Sequence, residues 1–162
     1  MLLLRGTLLA SFAMSCAVMA QAQPVTDRNI SIGITRAIID GALEQCEKDG
    51  YRVVVAIVDR AGHLRSMMAH DGTHPHNAEL ARRKAYTART FRQTTTEFQV
   101  RTERPESSGL RVLTDTVWTG GGVPIKFNDE TIGGVGVSVA PGGPRDEICA
   151  QAGIAKAADQ LK

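Results

Sequence analysis

Two apolar runs in the last third of the chain constrain its fold more than any other feature. Gly122–Phe127 and Thr131–Val139 flank an Asn-Asp-Glu tripeptide at 128–130, which is typical of a tight turn between antiparallel strands. The second run contains three glycines, so that another chain, a helix or a ligand can approach its backbone closely: Gly133, Gly134 and Gly136. A Pro-Gly-Gly-Pro loop at 141–144 then ends the sheet, and Asp146 is placed to complement the start of a helix. This stretch predicts a glycine-rich β-hairpin followed by a helix.

The residues before this hairpin predict a second hairpin enclosed by helices. The predicted elements are a helix capped by Asp27 or Asn29 and ending near Asp49, strands at 52–58 and 64–69, a helix at 77–91, a weak helix at 94–103, an irregular segment at 104–119, the glycine-rich hairpin and a helix at 146–161. Strands that arrive as two hairpins separated by helices predict an α+β fold with helices packed on an antiparallel sheet. The irregular segment is long enough to be a functional or interface loop.

Several short segments, in this order and spacing, carry a resemblance to a known family. They are the strand and turn at 53–64, Asp71-Gly72 with the small residues and Lys-Ala at 81–88, the strand start at 121–125, and Asp-Glu-Ile-Cys-Ala at 146–150. Each segment alone is unspecific, but together they resemble the GlcG/HbpS-like heme-binding family, which includes glycolate-utilisation accessory proteins and extracellular heme-binding proteins. The resemblance covers nearly all of the chain after residue 28. His70, where many relatives carry Arg, and the pair His74 and His76 depart from the family pattern.

The resemblance implies a profilin-like α/β/α sandwich that assembles into higher oligomers, with heme or another tetrapyrrole as its ligand. It also draws attention to Lys84, which belongs to the Lys-Ala motif. Lys84 follows a face of small side chains on the predicted helix, and we predict that it binds the cofactor or a small carboxylated ligand. The neighbouring Arg82 and Arg83 are interpreted as a solvated helix face.

The first 22 residues have the order of a secretory signal peptide. Arg5 supplies the positive charge, residues 8–18 form the apolar core, and Ala-Gln-Ala at 20–22 is a cleavage site of the A-x-A type. We therefore expect residues 1–22 to be a signal peptide, residues 23–162 to be one domain, and the mature protein to be periplasmic or secreted. The apolar run is shorter than the about 20 residues that span a bilayer, so no membrane insertion is expected after cleavage.

The charge balance argues against a nucleic-acid partner. The chain has 19 basic and 17 acidic residues, and the predicted signal holds one of the basic residues, which leaves a net charge of +1. Such a near-neutral balance without a basic cluster is not typical of a protein that binds nucleic acid.

Two cysteines, Cys46 and Cys149, follow the predicted signal. An oxidising compartment allows them to pair, and two free buried thiols are an equally simple interpretation. Cys46 lies on the apolar stripe of the first predicted helix, and Cys149 lies in a small-residue patch of the last one. A bridge therefore requires these two helices to pack together.

All four histidines lie within a short segment: His63, His70, His74 and His76. Imidazole is a common axial ligand of heme iron and a general ligand of transition metals. We predict His70, His74 and His76 as cofactor-binding residues, with His74 and His76 as the ligands of the metal. The same pattern is also typical of a polar surface loop, because the spacing of His-Pro-His is not that of the ligands in a zinc site. Six aromatic residues follow the predicted signal, so any heme is expected at the surface or between subunits.

No catalytic constellation stands out. Ser138 is not part of a G-x-S-x-G elbow, and neither glycine cluster matches a phosphate loop or a dinucleotide fingerprint. We expect an exported homo-oligomeric heme-binding protein without classical turnover. The alternatives are an enzyme or accessory protein of organic-acid or aromatic catabolism, with a carboxylated ligand near Lys84, and a component of a ligand or redox sensor.

Overall fold

The computed structural model describes residues 22–162. The elements of this part of the chain are α1 (Ile32–Lys48), β1 (Val54–Asp59), β2 (Leu64–Ala69), α2 (His76–Phe91), α3 (Thr95–Thr102), a 3₁₀ helix (Pro105–Val112), β3 (Gly122–Phe127), β4 (Glu130–Ser138), α4 (Gly143–Lys156) and a short 3₁₀ helix (Ala158–Gln160). The predicted signal peptide, apart from its last residue, lies outside the described residues. Between residues 22 and 162, no helix has the length and apolar character needed to cross a lipid bilayer.

The sheet has the strand order β2-β1-β4-β3, and every neighbouring pair of strands is antiparallel. Each hairpin contributes two strands, and the hairpins join where β1 pairs with residues 133–138 of β4. All six residues of β1 are buried, as expected for a central strand with a continuous apolar run. The predicted α+β fold, with an antiparallel sheet built from two hairpins, is confirmed.

Helices cover both faces of the sheet and make it the middle of three layers. α1 and α4 pack on one face, where Ile38, Val55 and Ile57 belong to the main apolar core. α2 packs on the other face, over Val54 and Ala56. Alternate residues of β1 thus point to opposite layers, as the two-residue period of a strand requires. This arrangement is the α/β/α sandwich that the family resemblance implies.

A disulfide between Cys46 and Cys149 joins α1 to α4. Their Cα atoms are 5.5 Å apart, and both residues are fully buried. The two helices approach closely beside the bridge, because a Cβ at Gly153 would lie 2.4 Å from the carbonyl oxygen of Ile38. The sequence leaves open whether these cysteines are paired or are two free thiols, and the structure contains the disulfide.

α2 lies close to the sheet because glycines occupy the strand positions beneath it. A Cβ at Gly136 would lie 2.1 Å from the carbonyl oxygen of Ala81, and one at Gly122 would lie 2.3 Å from that of Lys84. Gly134 is approached equally closely by the next turn of the helix. The atoms in the way belong to the helix backbone, which cannot turn aside as a flexible side chain can. The depth at which α2 meets the sheet is therefore set by backbone contact.

α1 begins later than predicted, because the predicted capping residues contact the first hairpin instead. Its N-cap is Ser31, whose Oγ accepts a hydrogen bond of 3.3 Å from the backbone N–H of Ile34. Asn29 Oδ1 instead accepts a hydrogen bond of 3.1 Å from the backbone N–H of Arg60, and Asp27 Oδ1 lies 3.0 Å from Arg60 Nη2. The prediction of a cap at Asp27 or Asn29 is wrong, because both side chains bind the first hairpin instead.

α4 spans Gly143–Lys156 instead of the predicted 146–161, and a separate 3₁₀ helix follows at Ala158–Gln160. Pro144 lies in its first turn, where the missing backbone N–H would have had no partner within the helix. Asp146 consequently lies inside the first turn, and its side chain is buried.

The irregular segment between α3 and β3 is held against α2 by polar contacts. Arg82 Nη2 lies 2.5 Å from Asp115 Oδ1, and Arg83 Nη2 donates a hydrogen bond of 2.6 Å to the carbonyl oxygen of Thr116. The interpretation of Arg82 and Arg83 as a merely solvated face is wrong, since both side chains tie this segment to the helix.

Because α2 lies so close to the sheet, we predict that adding a single methyl group beneath it strongly lowers the stability of the fold. We expect Gly136→Ala to lower the free energy of unfolding by about 2 kcal/mol or more, because the added Cβ would overlap backbone atoms that cannot repack. Urea denaturation measures this change. Gly109→Ala is the matched control, because a Cβ there meets no atom within 4 Å, and it should stay within about 0.5 kcal/mol of the unmodified protein. Equal effects in the two variants would contradict the backbone-contact account.

Candidate functional site: a polar pocket beside the histidine pair

A polar pocket of about 230 Å³ lies where α2, α4 and the end of β4 meet. Its lining combines hydrogen-bonding side chains with the backbone of the loop before α4: Asn77, Leu80, Lys84, Thr119, Ser138, Val139, Ala140, Gly142, Gly143 and Asp146. The three residues from α2 are spaced three and four positions apart, so they share one face of the helix. The depth of α2 on the sheet brings this face to the end of β4.

A buried ion pair between Lys84 and Asp146 forms one wall of the pocket. Lys84 Nζ donates hydrogen bonds of 2.7 Å to Asp146 Oδ2 and 2.9 Å to the carbonyl oxygen of Val137. The two side chains are 3% and 4% exposed, so the pair is almost completely removed from water. Asp146 Oδ1 also accepts a hydrogen bond of 2.9 Å from the backbone N–H of Ala140. The pair therefore fastens α2 to the end of β4 and to the start of α4.

Burial shifts the pKa values of Lys84 and Asp146 in opposite directions. Removal from water lowers the pKa of the Lys84 ammonium and raises the pKa of the Asp146 carboxyl, because a low dielectric disfavours both charged forms. The attraction between the two groups, and the hydrogen bond that joins them, oppose both shifts. Two of the three N–H donors of Lys84 are already engaged, so its ammonium is anchored before any ligand arrives.

A second buried polar contact completes the pocket on the side of the histidines. Ser138 Oγ donates a hydrogen bond of 3.1 Å to Asn77 Oδ1, and both residues are buried. Asn77 directly follows His76, the first residue of α2. The pocket is thus continuous in sequence with the predicted ligand segment.

The structure places His74 and His76 together at the N-terminal end of α2. Both are exposed, their ring centroids are 5.9 Å apart, and their ring planes differ by 8°. Among residues 22–162, Nδ1 of His70 is the single histidine ring nitrogen with a hydrogen-bond partner. The rings of His74 and His76 therefore keep their nitrogens available to a ligand. Their assignment as metal ligands stays a prediction, and residues 22–162 contain no group of three or more acidic, His or Cys side chains positioned to hold a metal ion.

The other two histidines are not part of this pair. His70 Nδ1 accepts a hydrogen bond of 3.0 Å from the backbone N–H of Val53, and the N–H of His70 donates one of 3.0 Å to the carbonyl oxygen of Val53. His70 thus extends the pairing of β1 with β2, and one of its ring nitrogens is engaged. His63 lies at the opposite end of β2, roughly 20 Å along the strand. The four histidines of the short segment therefore do not form one cluster.

Sequence reasoning missed three polar residues that line the pocket with Lys84, namely Asn77, Ser138 and Asp146. Asp146 is recognisable from its sequence as a residue at a helix start, but its pairing with Lys84 spans 62 positions. Asn77 and Ser138 are 61 positions apart and carry no motif of their own. The order of the strands and the depth of α2 bring these residues together, and neither can be derived from local spacing.

These features define a small α+β domain with a polar pocket and a pair of exposed imidazoles at one end of its sheet. The chain belongs to the HbpS-like family, because the model of a family described as haem-degrading HbpS-like proteins matches residues 30–155. The resemblance inferred from the sequence motifs is thereby confirmed.

Individual relatives agree with this assignment. The protein GlcG of Escherichia coli strain K12 is 31% identical over 111 residues, which cover 67% of this chain and 81% of GlcG. A crystal structure of HbpS is 32% identical, with a TM-score of 0.79, and the match covers 85% of this chain and 97% of that one. A crystal structure of PduOC in complex with heme is 27% identical, with a TM-score of 0.72, over 78% of this chain and 94% of that one.

The buried ion pair predicts that replacing Lys84 alone destabilises the protein more than replacing Lys84 and Asp146 together. We expect Lys84→Met to lower the free energy of unfolding by about 3–5 kcal/mol, because it leaves the Asp146 carboxylate buried without its partner. Adding Asp146→Asn should recover most of that loss, since the second change removes the stranded charge. Chemical denaturation of both single variants and the double variant gives the coupling energy between the two residues.

The matched control is the exposed pair of Lys156 and Glu44, whose side chains are 41% and 65% exposed. Lys156→Met should cost at most about 1 kcal/mol, because water screens that pair. Additive losses at Lys84 and Asp146, without recovery in the double variant, would contradict the buried-pair account.

Proposed function

We propose that this protein is an exported, homo-oligomeric heme-binding protein without classical turnover, and that His74 and His76 bind the heme iron at the N-terminal end of α2. Family membership supports heme as the ligand, as does the fold shared with PduOC, whose crystal structure contains heme. The observation that carries the proposal for this chain is the pair of exposed, parallel imidazoles beside the polar pocket.

The chemistry of the available donors fits a tetrapyrrole iron. Imidazole nitrogen is a standard axial ligand of heme, and the two cysteines between residues 22 and 162 are engaged in the disulfide, which removes their thiolates as an alternative. Of the four histidines in the whole chain, His74 and His76 are the two that lie side by side. Heme would supply a redox-active iron and a flat apolar surface, and the protein would supply the axial nitrogen and the contacts to the ring.

The dimensions of the pocket favour a superficial site. At about 230 Å³ it is smaller than the roughly 300–1,000 Å³ typical of pockets for small organic ligands. A tetrapyrrole would therefore lie over the pocket mouth. Trp118, which is 41% exposed, directly precedes the pocket residue Thr119 in the chain and is a candidate contact of the ring. Arg111 lies 5.6 Å from the centre of the Trp118 ring and offers a cation to a carboxylate of the ligand.

A second candidate function rests on Lys84. Its ammonium has a third N–H donor beyond its two hydrogen bonds, and the pocket has room for a carboxylated molecule of a few atoms. Such a ligand would suit the alternative of an enzyme or accessory protein of organic-acid or aromatic catabolism. A hemin titration separates the two candidates, because only the first requires the Soret band to change.

Assembly of several copies is supported by apolar side chains that this chain leaves exposed. Val100, Val112, Leu113 and Trp118 are between 41% and 86% exposed on and around α3 and the 3₁₀ helix Pro105–Val112. Val100 lines a recess of about 430 Å³ together with Thr96, Glu97, Arg101 and Arg104. Exposed apolar surface with a polar rim is typical of protein interfaces, so this segment supports the proposed homo-oligomer.

Removal of His74 and His76 should weaken heme binding without unfolding the protein. We expect the double variant His74→Ala with His76→Ala to bind hemin at least tenfold more weakly, a loss of about 1.4 kcal/mol or more, and to shift the Soret band. The circular dichroism should not change, because both side chains are exposed. His63→Ala, at the other end of β2, is the matched control and should titrate like the unmodified protein. An unaltered titration of the double variant would remove these two residues from the site.

Export and assembly can be measured on one preparation from an exporting host. We expect the N-terminal sequence of the periplasmic or secreted protein to begin at Gln23, since the A-x-A site ends at Ala22. Light scattering at micromolar concentration should give a mass of more than one chain. A cytosolic product that retains Met1, or a monomer at this concentration, would contradict the corresponding part of the proposal.

A further inference from the structure

The opposite end of α2 carries an arginine, Arg89, without a partner among residues 22–162. Nε of Arg89 is buried, and the Arg89 guanidinium makes no hydrogen bond or salt bridge with any residue between 22 and 162. Most buried donors in folded proteins have a partner, and a charged donor without one is costly. Arg89 therefore resembles one half of an interaction whose other half is a ligand.

The charges around Arg89 are predominantly positive. Burial lowers the pKa of the Arg89 guanidinium, and the charges of Arg60 and Arg92 lower that pKa further. Asp59 acts in the other direction, but its Oδ1 is already occupied by the backbone N–H groups of Ala61 and His63, at 2.9 Å and 3.0 Å. An anion placed beside Arg89 would be attracted to a cation that forms no ion pair with any residue between 22 and 162.

Arg60 is satisfied, in contrast to Arg89. Its guanidinium forms ion pairs with Asp27 and Glu130, one on each side. Within the part of the chain that the structure describes, Arg89 and its neighbour Arg92 are thus the arginines at this end of α2 without an ion pair, whereas Arg60 has two.

A recess of about 170 Å³ opens beside Arg89, between the turn of the first hairpin and the C-terminal half of α2. Its lining contains two hydroxyl groups and no acidic side chain: Arg60, Ala61, Gly62, Tyr86, Arg89 and Thr90. Tyr86 packs against Gly62, where a Cβ would lie 2.8 Å from Cε2 of the ring. This contact holds the tyrosine in place on the wall of the recess.

We propose that this recess is a binding site for a small monocarboxylate, held by the Arg89 guanidinium and by the hydroxyl groups of Tyr86 and Thr90. A guanidinium presents two parallel N–H donors that match the two oxygens of a carboxylate. The volume suits a molecule of a few atoms, and the single unpaired guanidinium in the lining suits a single negative charge better than a phosphate dianion.

The proposed carboxylate site is separate from the proposed heme site. Arg89 and His76 are 13 positions apart on α2, which corresponds to roughly 20 Å along the helix axis. A ligand at one end therefore makes no contact with the histidines at the other, and the two proposals can fail independently.

Calorimetric titration of the full mature protein with acetate, at constant ionic strength balanced with chloride, tests the site. We expect saturable binding that weakens at least tenfold in Arg89→Met and less strongly in Tyr86→Phe. Arg36→Met, which removes the same charge from the exposed face of α1, is the matched control and should bind acetate like the unmodified protein. Hemin binding should be unchanged in Arg89→Met.

Absence of saturable acetate binding, or binding of unchanged strength in Arg89→Met, would overturn the proposal. Tighter binding of inorganic phosphate than of acetate would overturn the assignment of the ligand class. Should Arg89→Met fail to fold, nuclear magnetic resonance of the unmodified protein replaces it, and acetate should shift the Nε–H signal of Arg89. A signal that stays in place during an otherwise saturable titration would also contradict the proposal.

Discussion

The contact of α2 with the glycine-lined face of the sheet is the constraint on which the rest of the structure depends. Because Gly122 and Gly136 carry no side chain, the backbone of the helix rests on the backbone of the strands. This depth allows the side chain of Lys84 to reach the carbonyl oxygen of Val137 and the carboxylate of Asp146. A larger residue beneath the helix would lift the whole face that lines the polar pocket.

The same helix separates two kinds of chemistry at its ends. At its N-terminal end, exposed imidazoles precede a pocket whose two buried charges, Lys84 and Asp146, form an ion pair. At its C-terminal end, Arg89 forms no ion pair with any residue between 22 and 162, and it lies beside a recess whose lining among these residues contains no acidic side chain. The first end is the proposed site of heme iron and the second the proposed site of a carboxylate, and α2 separates the two by roughly 20 Å.

The sequence predicted those parts of the fold that local chemistry determines. The strands Leu64–Ala69 and Gly122–Phe127 have the predicted bounds, because a tight turn adjoins each of them in the sequence. The predicted cap of α1 was wrong, because Asn29 and Asp27 bind Arg60 in the structure. Local capping rules do not include such a long-range contact. Lys84 was predicted as a site residue, but its partner Asp146 could not be predicted, since strand order and helix depth bring the two together.

The central claim is that a histidine at the N-terminal end of α2 ligates heme iron, and pulsed electron paramagnetic resonance tests it most directly. The measurement uses the ferric hemin complex of the protein with His63→Ala, labelled with ¹⁵N in its histidines. The remaining histidines lie between positions 70 and 76. The account predicts a hyperfine coupling between the iron and a histidine ¹⁵N nucleus, and it predicts that this coupling is lost when His74→Ala and His76→Ala are added. A coupling that persists in that variant would come from His70 and would contradict the account. A hemin complex that forms without any such coupling would contradict it.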